Sequence, residues 1–154
     1  MAQVRQGIAA WRATGASLYV PYFCTVMADV SAHLGHTEDG LQALAEAHTL
    51  MEQHDERWWE AEVARLRGVL LLQQEGTPPT EAEACFQQAL AIARHQEAKS
   101  LELRAAMSLA RLWQQQGQRD EARELLTPIY GWFTEGFDTA DLQEAKALLA
   151  ALAR

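Results

Sequence analysis

The sequence has few of the features that mark a secreted, membrane-bound or disulfide-bonded protein. Its 154 residues include only two cysteines, Cys24 and Cys85, and a disulfide framework would need more. Both lie inside apolar helical patterns, so we expect two buried thiols. The most apolar run, 68–72, is far too short to span a bilayer, and residues 1–12 lack the continuous apolar core of a signal peptide. These absences predict a reduced, cytoplasmic protein.

Positive charge is scarce as well. The chain has 13 Lys and Arg against 21 Asp and Glu, which gives a formal net charge of −8. Binding to nucleic acid needs a surplus of Lys and Arg, and binding to an anionic membrane needs the same, so we expect neither as a partner. Four prolines and a hydrophobic content of 49% indicate a globular chain with a sizeable core.

Motifs that carry catalysis or hold a metal are missing or incomplete. The sequence has no Gly-x-x-x-x-Gly-Lys-Ser/Thr phosphate loop and no nucleophile–base motif. Asp29, His33 and His36 could place metal donors near one helix face, but Gly35 is expected to end the helix between the two histidines. We therefore predict no enzymatic activity, no cofactor and no metal.

Helical periodicity is what the sequence does contain. Apolar residues recur at intervals of three and four, and no convincing period of two appears. Glycine, proline and polar punctuation divides the chain into eight predicted helices, at about 2–14, 17–34, 38–53, 56–75, 80–97, 101–116, 119–133 and 139–153. Thr80 and Glu83 have the spacing of a capping box at the start of the fifth helix. The helices pair into three helix–turn–helix units, at about 17–53, 56–97 and 101–133, between an unpaired first helix and a C-terminal capping helix.

Three segments of the chain share one internal spacing. They are Gly35–Gly40–Leu44–Ala47, Gly76–Ala82–Phe86–Ala89 and Gly117–Ala122–Leu126–Ile129, and the second is one residue longer than the others. Small residues in the first helix of each unit, Ala28, Gly68 and Ala110, recur with a similar period. A repeat of about forty residues marks a chain built by stacking one supersecondary unit.

This spacing resembles the tetratricopeptide repeat. In the third unit, Leu109-Ala110-x-x-Trp113-x-x-x-Gly117 and then Ala122-x-x-x-Leu126 follow the repeat's Leu-Gly-x-x-Tyr-x-x-x-Gly and Ala-x-x-x-Phe patterns. The usual period is 34 residues, so the helices here are expected to be longer, as in bacterial signal-transduction ATPases and maltose-regulator-type activators. Gly40 and Ile129 depart from the pattern, because the repeat prefers alanine at both positions.

The resemblance extends over essentially the whole chain. Segments 7–16, 101–106 and 132–139 are similar to the C-terminal tetratricopeptide region of large bacterial predicted ATPases, which often carry an N-terminal adenylate/guanylate cyclase or DNA-binding domain. The resemblance implies an all-α fold, a right-handed α-solenoid of three helix–turn–helix units in a single domain. It also implies a sensing or scaffolding part of a larger enzyme, whose catalytic parts lie elsewhere.

The repeat register also predicts a binding surface. In stacked helix pairs the first helix of each pair lines the concave face. Carried over to this sequence, the register predicts twelve groove-facing residues at spacings of three and four: Tyr22, Thr25, Asp29, His33, Glu62, Arg65, Val69, Gln73, Arg104, Met107, Arg111 and Gln115. These side chains could hold a peptide through hydrogen bonds, or they could form an ordinary solvated face.

Two functions follow as hypotheses. The first is a non-catalytic interaction module of a bacterial signalling ATPase, which binds a protein or peptide, or its own ATPase core, in the groove. The second is self-association into a homodimer, because the first helix resembles half of a repeat and would expose Ile8 and Trp11. Core packing is the simpler role for the tryptophans, although Trp58 and Trp59 are adjacent and one of them should lie at an interface or at the solvent edge.

Overall fold

The chain folds into α-helices, as the periodicity predicts. A computed structural model of the protein describes residues 2–15 and 18–154, with nothing stated for the side chain of Ala2. Within these ranges there are eight helices and no strand, so the prediction of an all-α chain is confirmed. The helices are α1 (Ala2–Ala13), α2 (Val20–Leu34), α3 (Thr37–His54), α4 (Glu60–Gln73), α5 (Pro79–His95), α6 (Lys99–Gln115), α7 (Arg119–Gly131) and α8 (Ala140–Leu152).

Several helices begin later or earlier than predicted. Helix α4 begins at Glu60 rather than near 56, because Asp55 ends α3 in a left-handed conformation with φ of 52° and the chain turns before it becomes helical again. Glu56 is buried in that turn, where its carboxylate accepts a hydrogen bond from the backbone N–H of Tyr19 at 3.2 Å. Because Glu56 is polar, its burial leaves no trace in the pattern of apolar residues, and the sequence does not indicate where the turn ends.

The predicted capping box at Thr80 and Glu83 is wrong. Helix α5 begins at Pro79 without a side-chain cap, which suits proline because the first helical position needs no amide donor. The Glu83 carboxylate instead accepts a hydrogen bond at 2.9 Å from the indole N–H of Trp113 on α6. Glu83 therefore joins α5 to α6 rather than closing the start of α5.

The helices contact one another in a regular order. Helices α2, α4, α6 and α8 touch in series, and each of α3, α5 and α7 packs between the helices before and after it in the chain. Two hydrogen bonds join α4 to its neighbours in this series. The side-chain amide of Gln73 donates to the carbonyl of Ala32 on α2, 41 residues away, and Arg65 donates to the hydroxyl of Ser108 on α6, 43 residues away. These offsets agree with the period found in the sequence.

Close approaches between helices explain two of the buried glycines. A Cβ at Gly40, where the repeat prefers alanine, would lie 2.8 Å from a methyl group of Leu70 and 3.1 Å from Cβ of Ser31. A Cβ at Gly68 would lie 2.5 Å from the ring of Phe86. The departure at Gly40 is therefore a consequence of its neighbours, since Leu70 takes the space that an alanine methyl would need.

Burial agrees in part with the expectation for the cysteines. The Cys24 side chain is buried between α2 and α3, whereas Cys85 on α5 is half-buried. Burial raises the pKa of the Cys24 thiol to about 11. Among the described helices, none has the length and apolar character needed to cross a bilayer.

Candidate partner-binding groove

One groove of about 780 Å³ runs along α2, α4, α6 and α8. All twelve residues that the repeat register predicts for the concave face line it, four each from α2, α4 and α6. The structure therefore brings the whole predicted set together. It does not make every member accessible, because Thr25, Glu62 and Met107 are buried in the floor of the groove.

Helix α8 contributes a wall of the groove that the repeat register does not predict. Asp141 and Glu144 line the groove from α8, and Trp59 lines it from the turn before α4. Helix α8 was expected only to cap the array, yet it contacts α6 in the same way as α4 does. The three-residue spacing of its two carboxylates was the available signal, because such residues share one helix face.

A charged network crosses the floor of the groove. The guanidinium of Arg65 donates two hydrogen bonds to Glu62, at 2.9 and 2.8 Å. Arg104 donates to Glu62 at 3.2 Å and to Asp141 on α8 at 2.8 Å. The network thus links α4, α6 and α8, and each of its charges faces one of opposite sign.

The network changes the titration of its members. Burial raises the pKa of the Glu62 carboxyl, but the hydrogen bonds and charges of Arg65 and Arg104 outweigh burial, so the pKa lies below its ordinary value of 4.5. Burial likewise lowers the pKa of Arg104, and the carboxylates of Asp141 and Glu62 more than reverse that effect. These groups are held in their charged forms, as structural ion pairs are.

The outer parts of the groove carry looser charges. Arg111 donates one hydrogen bond to Glu144 at 2.8 Å, and both side chains are about half exposed. On the α2 side, a ring nitrogen of His33 lies 2.8 Å from the backbone oxygen of Asp29 and 3.8 Å from its carboxylate. Exposed pairs of this kind hold a side chain only weakly, by about 0–1 kcal/mol, so a ligand could displace them.

Two other predicted groove residues already have partners within the chain. The hydroxyl of Thr25 donates to the carbonyl of Tyr22 at 2.7 Å, and the side-chain amide of Gln73 donates to the carbonyl of Ala32 at 2.9 Å. Their polar groups support α2 and its contact with α4. We therefore treat Thr25 and Gln73 as structural members of the lining.

Apolar side chains occupy both ends of the groove. Near the first turns of the helices, the rings of Tyr22 and Trp59 lie 4.6 Å apart. Toward the last turns, Val69, Phe86 and Leu112 line the floor beside Leu72, which is 41% exposed. Trp58 is turned away and is 66% exposed, so the expectation that one of the adjacent tryptophans reaches solvent is confirmed.

The two residues considered for self-association differ in accessibility. Ile8 is buried, with 8% exposure, whereas Trp11 is 38% exposed. The Trp11 ring meets Phe23 edge-on at 5.7 Å, and its N–H donates to the carbonyl of Leu18 at 2.9 Å. Ion pairs from Arg5 to Asp39 and from Arg12 to Glu46 join α1 to α3.

The candidate metal donors do not converge. His33 faces Asp29, while the ring of His36 lies 3.9 Å from the carboxylate of Asp39. Across residues 2–15 and 18–154, no three His, Cys, Asp or Glu side chains are placed to hold a metal ion. What the groove offers is paired charges, hydrogen-bonding groups and apolar surface.

The sequence matches no protein-family model and no curated protein.

Proposed function

We propose that this chain is a non-catalytic protein-interaction module, a right-handed α-solenoid of three tetratricopeptide-like units that binds a partner segment in its groove. The observation that carries the proposal is that all twelve residues selected by the repeat register line one groove of about 780 Å³. The serial contacts of α2, α4, α6 and α8 support the stacked arrangement. On the resemblance, we also propose that the module belongs to a cytoplasmic bacterial signalling ATPase, whose own core is one candidate partner.

A peptide selection tests the groove as the binding site. We would select peptides from a phage-displayed library on the immobilised protein and then measure their binding to Leu72→Glu. The matched control is Leu34→Glu, because Leu34 is also an exposed leucine, at 55% against 41%, and it does not line the groove. We expect the selected peptides to lose binding to Leu72→Glu and to keep it with Leu34→Glu.

A charge reversal gives an independent arm of the same test. Arg111→Glu alters the groove, and Arg123→Glu is its control, since each arginine is about half exposed and each has one carboxylate partner. Arg123 does not line the groove. If selected peptides bind the groove variants and the control variants equally well, the groove is not the binding site.

One observation favours the second candidate function, self-association. Trp11, Leu18 and Tyr19 are exposed large apolar side chains at the corner between α1 and α2, and such patches often mark protein contacts. Sedimentation velocity should then detect a dimer that Leu18→Glu dissociates. Ile8 is unsuitable for this test because it is buried, and monomers for both wild type and Leu18→Glu would reject self-association at this corner.

A further inference from the structure

An apolar floor and two acidic side chains, one on α2 and one on α8, line the same groove. The hydrogen bonds that join α2 to α4 and α4 to α6 span 41 and 43 residues. The same offsets set Val69 level with the turn of α2 that carries Asp29 and with Leu112 on α6. Arg111, which precedes Leu112, reaches Glu144 on α8. Asp29 and Glu144 thus line the groove from α2 and α8, the two helices on either side of α4 and α6.

The floor between them favours an apolar side chain. Leu72 follows Val69 by one helical turn, lines the groove, and leaves 41% of its surface exposed. Phe86 and Leu112 lie beneath it, almost wholly buried, and complete the apolar floor. Covering exposed apolar surface stabilises a complex by roughly 25 cal/mol per Å², so a leucine-like side chain fits here better than a polar one.

The charges around the floor favour a cationic ligand. The three arginines of the groove, Arg65, Arg104 and Arg111, already donate to carboxylates of the chain. Four carboxylates line the groove against these three arginines, so the lining carries an excess of negative charge. Asp29 and Glu144 are about half exposed; Asp29 lies 3.8 Å from a ring nitrogen of His33, and Glu144 has a single exposed pair with Arg111. The net charge of −8 adds a long-range attraction for cations.

We propose that the segment bound in this groove is a basic amphipathic peptide, which places an apolar side chain on Val69 and Leu72 and Lys or Arg side chains against Asp29 and Glu144. This inference rests on the proposed function and names the chemistry of its partner. The opposite choice, an acidic segment that binds the arginines, is an outcome of the test below.

The test compares synthetic peptides that differ in one property at a time. A peptide of repeating Leu-Lys-Lys-Leu presents an apolar helix face and positive charge, Leu-Glu-Glu-Leu reverses the charge, and Ser-Lys-Lys-Ser removes the apolar face. Binding would be followed by fluorescence anisotropy of end-labelled peptides. We expect the Leu-Lys peptide to bind at least about tenfold more tightly than either of the others, a difference of about 1.4 kcal/mol, and to weaken as salt is added.

The chain offers closely matched variants for the site. Asp29→Asn with Glu144→Gln removes the two acidic charges that the proposal assigns to the ligand. Glu52→Gln with Asp120→Asn is the control: Glu52 lies 3.7 Å from His48 as Asp29 lies 3.8 Å from His33, and Asp120 pairs with Arg123 as Glu144 pairs with Arg111. We expect the groove pair to weaken binding of the Leu-Lys peptide about tenfold and the control pair to leave it nearly unchanged.

Each contrary result has its own meaning. Equal effects of the two variant pairs, or equal binding of the Ser-Lys peptide, would show general charge attraction and overturn the inference. Tighter binding of the Leu-Glu peptide would also overturn it, while leaving the proposed function intact if Leu72→Glu abolishes that binding. Absence of binding by all three peptides refutes the basic amphipathic ligand, and the peptide selection then decides the proposed function separately.

Discussion

The contact between Gly68 and Phe86 gives the sharpest test of the packing. Gly68 lies within α4, and a Cβ there would come within 2.5 and 2.8 Å of two ring atoms of Phe86 and 3.0 Å from the carbonyl oxygen of Ala82. Phe86 is almost wholly buried, at 1% exposure. The ring packs against Ala82, Leu109 and Leu112 in a core cluster, and the carbonyl belongs to the backbone of α5.

Two opposing effects set the magnitude for Gly68→Ala. Alanine is a better helix former than glycine by about 1 kcal/mol, which would stabilise α4. Overpacking a filled core costs about 1–3 kcal/mol, and here the ring must move until its 2.5 Å contact reaches the 3.4 Å of an ordinary one. Because both a ring and a backbone atom obstruct the methyl group, we expect a net destabilisation of about 1–2 kcal/mol, or a fall in melting temperature of roughly 2–8 °C.

Thermal and urea unfolding followed by circular dichroism would measure this change. The control is Gly7→Ala in α1, where an added Cβ meets nothing within 4 Å, so that variant should be as stable as wild type or slightly more so. In a Phe86→Leu background, Gly68→Ala should cost less, because the ring that obstructs the methyl group is gone. A Gly68→Ala protein as stable as wild type would refute the packing argument.

Two further predictions concern titratable groups. Glu62→Gln should destabilise the protein at neutral pH by on the order of 3 kcal/mol, because it breaks a buried ion pair. The pKa of Glu62 is lowered from 4.5 in the folded protein, so the contribution of its carboxylate to stability is lost as the pH falls below 4.5. Urea unfolding should show wild type losing more stability below that pH than the variant does, and parallel pH profiles of the two proteins would contradict this reasoning. Cys24, whose pKa burial raises to about 11, should react with iodoacetamide at neutral pH more slowly than half-buried Cys85, and equal rates by peptide mass spectrometry would contradict the assigned burial.

The sequence predicted the fold best where residues of one type recur at equivalent positions in successive helices. Small residues such as Gly68 and Ala110 must recur wherever helices meet closely, so their spacing reveals the register of the stack. Once the register is known, the positions that face the groove follow from helical geometry. Tyr22 and Arg111 were found in this way, although nothing in their own chemistry distinguishes them from other surface residues.

The features that could not be predicted from the sequence depend on single long-range contacts, which leave no periodic pattern. Glu56 ends in a turn because its carboxylate meets the backbone of Tyr19, 37 residues earlier. Glu83 on α5 accepts a hydrogen bond from the indole N–H of Trp113 on α6, whereas the local spacing predicted a helix cap. The position of Glu144 in the groove could not be predicted, because its contact with Arg111 exists only after α8 has packed on α6.

The packing and the proposed binding surface meet at Phe86. Its ring fills the space that Gly68 leaves open, and it also lines the apolar part of the groove with Val69 and Leu72. A methyl group at position 68 therefore acts on the floor of the groove as well as on the core, because the ring it displaces belongs to both. If the groove binds peptides, Gly68→Ala should lower their affinity even under conditions where the variant is fully folded. Gly7→Ala should not, and equal peptide affinities for these two variants would show that Phe86 takes no part in binding.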